Sequence, residues 1–279
     1  MNTDQISKLY NVIGQNILIT GGAGVLGSEM ASALVDRGAN VAILDLNLEN
    51  AVTAIQHFPK SPTAGRAIAV QCDVLQVESI QRAVEESISE FGWIDGLING
   101  AGGNKSDATT DASRSFFDLP SDALRWVFEL NLMGTILPSQ IVGRHMAKRK
   151  KGVILNISSM NAFRPLTRIA AYSAAKAGVS NFTQWLAVHM AQEYSTNIRV
   201  NALAPGFFLT EQNRFLLTEK ETSSLTRRGT QIIDHTPMGR FGNPEDLVGP
   251  LLWLMSSASA FVTGIVVPVD GGFSAYSGV

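Results

Sequence analysis

Seven short apolar runs, separated by helix-like patterns, constrain the fold of this 279-residue chain more than any other feature. They are rich in Val, Ile, Leu and Ala, and lie at residues 16–20, 40–45, 66–73, 94–103, 153–158, 198–206 and 264–272. Strands that are apolar on both faces and alternate with helices indicate a parallel sheet with helices on both sides. Ligands of such sheets bind beyond the carboxyl ends of the strands. We therefore predict an α/β fold with a doubly wound, seven-stranded parallel sheet.

The first run is followed by a glycine-rich stretch, GGAGVLG, and then by a helical pattern. Gly22, Gly24 and Gly27 have the G-x-G-x-x-G spacing, which predicts a dinucleotide site when it lies between a strand and a helix. Glycine lets the backbone approach a pyrophosphate, and the helix N-terminus attracts that anion. This pattern makes the sheet Rossmann-type.

Asp45 ends the second apolar run, a little over twenty residues after the glycines. A carboxylate at this place can accept hydrogen bonds from ribose hydroxyls, although it could also serve only as a turn or helix-capping residue. The following residues, LDLNLEN, contain no arginine to hold a 2′-phosphate. The sequence therefore favours NAD(H) over NADP(H) as the cofactor.

No Pro/Ser-rich linker or block of charge divides the chain, so we predict a single domain over residues 1–279. Within it, residues 16–205 form the dinucleotide-binding core, 206–240 a substrate lid, and 241–279 the last helix and strand. A long helical pattern over residues 121–152 is expected to break or kink near Gly134 and Pro138.

Tyr172 and Lys176 lie four residues apart in a helical pattern that follows the fifth apolar run. At that spacing they share one helix face. An ammonium near a phenol lowers the phenol pKa, which suits a tyrosine that exchanges a proton near neutral pH. Ser159 precedes them, on a loop that could return its hydroxyl to the phenol. Such a Tyr/Lys pair also occurs on ordinary solvated helices.

Composition restricts the partners and the compartment. The formal net charge of −2 gives no electrostatic reason to expect nucleic acid. A single cysteine, Cys72, excludes an internal disulfide and fits a reducing cytosol. The four histidines lack metal-ligand spacing, and the apolar run at residues 247–255 is too short to cross a bilayer. We expect a cytoplasmic protein with a small-molecule partner, no metal, no nucleic acid and no membrane.

The chain resembles the short-chain dehydrogenase/reductase family along nearly its whole length. The resemblance is carried by TGGAGVLG, CDV, NGAG, LNLMG, NISS, YSAAK, RVNALAPGF, PMGRFGNPED and FVTGIVVPVDGG, in that order. It implies four catalytic residues. Tyr172 would be the general acid/base, Ser159 would hydrogen-bond the reacting oxygen, and Lys176 would hold the nicotinamide ribose and lower the tyrosine pKa. Asn131 would hold a proton-relay water.

The same resemblance implies the contacts of the cofactor. They would be made by Gly21, Gly24, Val25, Leu26, Gly27, Asp45, Leu46, Asp73, Val74, Asn99, Gly100, Ala101, Tyr172, Lys176, Pro205, Gly206 and Phe208. Two positions depart from the family pattern: the family usually has glycine where Val25 stands and asparagine where Gly100 stands. Both leave the backbone contacts possible.

Further stretches, NAFRPLTRIAAYSAAKAG, APGFFLTEQNR and GGFSAYSGV, look like the D-mannonate oxidoreductase (fructuronate reductase) branch of the family. That likeness implies reversible reduction of the D-fructuronate ketone to D-mannonate by NADH. Two alternatives stay open: a dehydrogenase for another sugar acid, polyol or cyclitol, such as a gluconate 5-dehydrogenase, and an NAD-binding scaffold without chemistry.

A uronate substrate carries a carboxylate, which a guanidinium can hold through two parallel hydrogen bonds. Arg164, stiffened by the following proline, is the first candidate and Arg168 the second. Sugar hydroxyls would suit Asn161, Asn104 and Gln212. Gln212 lies with Asn213 and Arg214 in the expected lid.

The helix predicted from Tyr172 to Tyr194 is apolar around much of its circumference. Its apolar residues are Val179, Phe182, Trp185, Leu186, Val188 and Met190. Since the sheet covers only one face, we predict that a second subunit covers another, in a homotetramer or homodimer.

Overall fold

The computed structural model describes residues 2–209, 217–219 and 224–278. The sheet contains β1 (Asn16–Thr20), β2 (Asn40–Asp45), β3 (Ala67–Gln71), β4 (Gly96–Asn99), β5 (Gly152–Ile157), β6 (Ile198–Pro205) and β7 (Val266–Val269). Their order is β3-β2-β1-β4-β5-β6-β7, and every neighbouring pair is parallel. The predicted doubly wound, seven-stranded parallel sheet is confirmed.

The helices among these residues are α1 (Thr3–Leu9), α2 (Val25–Asp36), α3 (Leu48–Gln56), α4 (Val77–Phe91), α5 (Ser121–Phe128), α6 (Gly134–Arg149), α7 (Ala170–Glu193), α8 (Arg227–Asp234) and α9 (Val248–Met255). In the part of the chain that the structure describes, no helix is both long and apolar enough to cross a membrane.

Each face of the sheet has its own apolar core. On β1, Ile17 and Ile19 point to one face, where they belong to the cluster that contains residues of α2 and α9. Leu18 points to the other face and joins the cluster formed with α4, α6 and α7. Successive side chains of a strand alternate between faces, so an uninterrupted apolar run is what a sheet covered on both sides requires.

The long helical pattern after residue 121 is interrupted by one π-helical turn, Glu129–Met133, between α5 and α6. The predicted break therefore falls just before Gly134, whereas Pro138 is accommodated inside α6. Single π-turns often occur at functional sites. This one contains Asn131, which is fully buried.

The strand order reverses between β1 and β4, which is the topological switch point of the sheet. Thr20 pairs with Asn99 on β4, and Asn99 pairs with Asn156 on β5, so these three strands end side by side. The crevice beyond such ends is where open α/β sheets bind ligands.

Candidate active site

A cleft of about 570 Å³ opens beyond the carboxyl ends of these strands. It is lined by residues 21, 23–27, 45, 50, 100–103, 157–159, 172, 176 and 205–208. The structure thus brings the glycine turn, the Tyr/Lys pair and the residues after β6 to one cavity. Asn50, Gly102, Gly103 and Phe207 line it as well, although they were not among the residues predicted to contact the cofactor.

The glycine turn after β1 is built by very close backbone approaches. Gly21 has φ +63°, and a side chain there would meet the Ala101 backbone at 2.7 Å. A methyl group at Gly27 would lie 2.6 Å from the Gly21 carbonyl oxygen. Gly24 is the N-cap of α2 and provides no side chain to satisfy the first N–H groups of that helix. The turn therefore presents free backbone donors to the cleft, as a pyrophosphate requires.

Asp45 lies at the end of β2 with its carboxylate fixed by two backbone donors. Its Oδ2 accepts from the Ala23 N–H and its Oδ1 from the Asn47 N–H, both at 3.1 Å. Among the described residues that line the cleft, no Lys or Arg other than Lys176 is present. The residues present fit an adenosine ribose with free hydroxyls, since a carboxylate accepts hydrogen bonds and repels a phosphate.

Eleven of the residues predicted for the cofactor, besides Tyr172 and Lys176, line this cleft. They are Gly21, Gly24, Val25, Leu26, Gly27, Asp45, Gly100, Ala101, Pro205, Gly206 and Phe208. The other four do not. Leu46 and Asp73 line a neighbouring groove beside β3 and α4, Val74 is buried, and Asn99 is buried between the sheet and α6. For these four a cofactor contact stays a prediction.

Tyr172 and Lys176 lie one turn apart on α7, as predicted. The Lys176 Nζ lies 5.7 Å from the centroid of the Tyr172 ring and donates a hydrogen bond to the Ile157 carbonyl at 2.8 Å. Ser159, two residues after the end of β5, lines the same cleft, and its hydroxyl acts to lower the pKa of Tyr172. The Ile157 carbonyl of β5 thus fixes the ammonium group beside the phenol ring.

Burial governs the proton affinity of both groups. Burial raises the pKa of Tyr172, and the neighbouring Ser159 hydroxyl opposes this only in part. The expected lowering of the tyrosine pKa is therefore wrong for this arrangement. Burial destabilises the phenolate more than the neighbouring groups stabilise it. Burial also lowers the pKa of Lys176 from 10.5 to about 8. A neutral phenol beside an ammonium is the form expected near neutral pH.

Asn131 is held by the turn that follows β4. Its Nδ2 donates to the Gly103 carbonyl at 2.7 Å and to the Val127 carbonyl at 2.8 Å. Its Oδ1 accepts from the Gly103 N–H at 3.1 Å. The carboxamide is thus engaged with the protein backbone on both sides, and its relay role stays a prediction. In the sequence, the glycine run NGAGG is the feature that could have identified Gly103 as a residue of the site.

The predicted substrate residues that the structure describes do not line the cofactor cleft. Asn161 and Arg168 line a second cleft, also about 570 Å³, beside the first turns of α7. Arg164 donates from Nε to the Ser274 carbonyl at 3.1 Å, which joins the loop after β5 to the C-terminal segment. Asn104 donates to Thr109 Oγ1 at 2.8 Å.

Gln212, Asn213 and Arg214 lie outside the described residues. Arg168 has φ +79°, and its carbonyl accepts from the Thr110 N–H at 2.9 Å. In the described part of the chain, no group of three His, Cys, Asp or Glu could hold a metal ion.

Comparison with known proteins agrees with this geometry. Residues 15–221 match the family model for short chain dehydrogenase. UxuB, an uncharacterised oxidoreductase of Bacillus subtilis, is 49% identical over 96% of this chain and 98% of its own length. The family resemblance of the sequence is thereby confirmed.

Two solved structures are similar to nearly the whole of this chain. A Haemophilus influenzae protein provisionally named a D-mannonate oxidoreductase, crystallised with bound NAD, superposes with a TM-score of 0.90. It is 46% identical, over 98% of this chain and all of that one. A gluconate 5-dehydrogenase of Burkholderia cenocepacia, in complex with NADP and tartrate, superposes with a TM-score of 0.83. It is 32% identical, over 96% of this chain and 98% of that one.

Proposed function

Since the chain belongs to the short chain dehydrogenase family, we propose that this oxidoreductase uses NAD(H) to reduce D-fructuronate reversibly to D-mannonate. The observation that carries the proposal is one cavity that joins the glycine turn and Asp45 to the Ser159, Tyr172 and Lys176 side chains. The likeness to the NAD-bound Haemophilus influenzae protein supports both the cofactor and the substrate class.

The proposed reaction needs a hydride on the carbonyl carbon and a proton on the carbonyl oxygen. The cofactor, when bound along the glycine turn, supplies the hydride. Tyr172 donates the proton, and a neutral phenol, which the raised pKa maintains, is the form that can do so. Ser159 orients the ketone oxygen, and the positive charge of Lys176 stabilises the negative charge that develops on the phenol oxygen.

Asp45 supports the choice of NAD(H). A 2′-phosphate would meet this carboxylate at close range, and the described lining offers no cation near it to compensate. We expect kcat/KM to be much higher with NADH than with NADPH. Asp45→Asn should narrow the ratio of kcat/KM with NADH to kcat/KM with NADPH, whereas Asp36→Asn, at the exposed C-terminal end of α2, should leave this ratio unchanged. Equal values with the two cofactors in the wild-type enzyme would overturn the assignment.

Arg164 is the first residue that we propose for holding the carboxylate of the substrate. Its guanidinium is tied through Nε to the Ser274 carbonyl, so it is held at the junction of the loop after β5 and the C-terminal segment. The planar group can present its remaining N–H donors to a carboxylate as a fork. Arg168, in the second cleft, is the other candidate, and Asn161, Asn104 and Gln212 are proposed for the hydroxyls.

The experiment compares Arg164→Met and Arg168→Met on D-fructuronate and on a neutral ketose of equal length. Loss of a charged hydrogen bond should cost roughly 1.5–3 kcal/mol for the acid alone. Arg125→Met, on α5, serves as a matched arginine control. If both variants slow the turnover of the acid and of the neutral sugar equally, neither arginine binds the carboxylate.

A related sugar acid is the second candidate, because the Burkholderia cenocepacia structure is named a gluconate 5-dehydrogenase. A panel of uronates, aldonates and polyols, followed by NADH absorbance, separates the two. Turnover of gluconate-type substrates only would replace the hexuronate assignment. Tight NADH binding without turnover of any member would favour the non-catalytic scaffold.

A further inference from the structure

The turn after β4 carries a glycine, Gly102, that faces the catalytic residues themselves. A methyl group at Gly102 would lie 2.8 Å from Asn131 Oδ1 and 3.2 Å from Lys176 Nζ. The first distance is shorter than real side-chain contacts, and the second requires the lysine to move. The space that a side chain would fill at this position is already taken by two predicted catalytic groups.

Neither of these groups can easily move away. Asn131 is fixed by three hydrogen bonds to backbone groups, two of them to Gly103. Lys176 donates to the Ile157 carbonyl at 2.8 Å, and its side chain is buried. Both side chains are buried among close-packed neighbours. A displacement of either one would therefore also displace the residues packed against it.

The glycines of the first turn differ in this respect. Side chains at Gly21 or Gly27 would collide with the backbone, at Ala101 and at Gly21 respectively, and so would disturb the turn itself. At Gly102 the atoms in the way are the ends of two side chains. Its φ also lies outside the left-handed range, so alanine can adopt the same backbone. Substitution at Gly102 therefore tests the position of the reactive groups rather than the backbone.

We propose that Gly102 is a positioning residue, whose missing side chain lets the Asn131 carboxamide and the Lys176 ammonium lie together beside Tyr172. This inference rests on the proposed function of Tyr172 and Lys176, but not on the identity of the sugar acid. Without that space, the ammonium would be pushed away from the phenol that it supports.

The pKa of Lys176 gives the proposal a measurable consequence, a shift in the pH profile of activity. A purely structural role of Gly102 would not shift that profile. The lysine already has a pKa of about 8 because of burial. A methyl group beside the ammonium removes more of its polar surroundings, which favours the neutral amine and lowers the pKa further. Activity that needs the ammonium is present below this pKa and is lost as pH rises through it. In Gly102→Ala the loss should begin at lower pH than in the wild type.

The test compares Gly102→Ala with Gly249→Ala, using whichever sugar acid the wild-type enzyme turns over. Gly249 lies in α9 with open space around it, so alanine there meets nothing. Misplacement of a reactive group by about 1 Å can cost on the order of 10²-fold in rate. We expect a loss of that size in kcat for Gly102→Ala, with the alkaline limb of the pH profile shifted down, and wild-type behaviour for Gly249→Ala. A folded Gly102→Ala enzyme with wild-type kcat and pH profile would overturn the proposal.

Asn131→Ala provides the second arm, because it removes one of the two obstructing groups. Gly102→Ala should then cost much less in the Asn131→Ala background than in the wild type, measured as a double-mutant cycle. If Gly102→Ala does not fold, recovery of folding in the double variant supports the proposal, and failure to recover overturns it. Additive losses also overturn it.

NADH binding and thermal unfolding against pH need no substrate. The Gly102 proposal therefore predicts a changed unfolding profile near pH 8 even if the sugar acid assigned above is wrong. If the wild type turns over no substrate, an unchanged dependence of unfolding on pH in Gly102→Ala overturns the positioning role. A changed dependence supports the positioning role, and only the proposed substrate then has to be replaced.

Discussion

Lys176 carries an ammonium group at a place from which water is nearly excluded, with 3% of the residue exposed. In the unfolded chain the amine titrates near 10.5, and in the folded chain near 8. Between these values the unfolded state binds more protons, so stability rises with pH in that window. Below pH 8 the folded protein bears the full cost of a buried charge. The buried charge of Lys176 thus lowers the stability of the folded protein below pH 8.

Lys176→Met should therefore stabilise the unliganded protein at pH 7. The shift in pKa corresponds to about 3 kcal/mol, and the lost hydrogen bond to Ile157 offsets about 1 kcal/mol of it, which leaves a gain of about 2 kcal/mol. The gain should shrink toward pH 10. Urea unfolding at both pH values measures it, with the exposed Lys60→Met as the control. A variant that is less stable than the wild type at pH 7 would contradict this account of the buried charge.

Tyr172→Phe should keep the fold and NADH binding but lose nearly all turnover. Removal of a general acid typically costs 10²–10⁴-fold in rate. Tyr194→Phe, an exposed tyrosine just after α7, is the matched control and should keep its rate. Single-turnover measurements with saturating NADH give the comparison. A Tyr172→Phe enzyme with more than about a tenth of the wild-type rate would place the proton donor elsewhere.

At the scale of the element, the turn between β1 and α2 depends on its glycines to different degrees. A methyl group at Gly27 meets the Gly21 oxygen at 2.6 Å and the Gly22 Cα at 2.9 Å, whereas one at Gly24 meets only the Gly21 oxygen, at 3.3 Å. Gly27→Ala should destabilise the protein by about 1–3 kcal/mol and abolish NADH binding, since backbone atoms must shift. Gly24→Ala should destabilise the protein less and should weaken NADH binding less. Thermal unfolding and NADH fluorescence measure the two effects, and equal losses would contradict the ranking.

The elements differ in how far the sequence alone could predict them. The glycine turn and the pairing of Tyr172 with Lys176 are local, since they follow from strand–turn–helix context and from helix periodicity. The π-turn could not be predicted, because Asn131 is held there by Gly103, 28 residues earlier in the chain. The loop after β5 could not be placed either. Its course depends on tertiary contacts such as that between Arg164 and Ser274, 110 residues apart.

At the scale of the whole molecule, α7 has one buried and one exposed apolar side. Val179, Leu186 and Met190 pack into the core, while Trp185 and Val188 are more than half exposed. Trp185 stacks with His189 at 4.8 Å and lies beside Phe182 at 6.3 Å between ring centroids. Exposed aromatic and aliphatic side chains on one helix face are typical of surfaces that bind another protein. We propose that a second copy of this chain covers this face, in a dimer or tetramer.

The assembly proposal predicts a wild-type mass of two or four chains by light scattering at micromolar concentration. A double variant, Trp185→Glu and Val188→Glu, places charge on the exposed side of α7 and should dissociate this contact, because two buried carboxylates without partners cost several kcal/mol. Val52→Glu, which changes an exposed aliphatic residue on α3, should keep the wild-type mass. The far-ultraviolet circular dichroism of both variants should stay that of the wild type, since Trp185 and Val188 lie outside the core. A wild-type protein that elutes as a single monomeric peak, or a double variant whose mass does not fall, would show that α7 does not join the subunits.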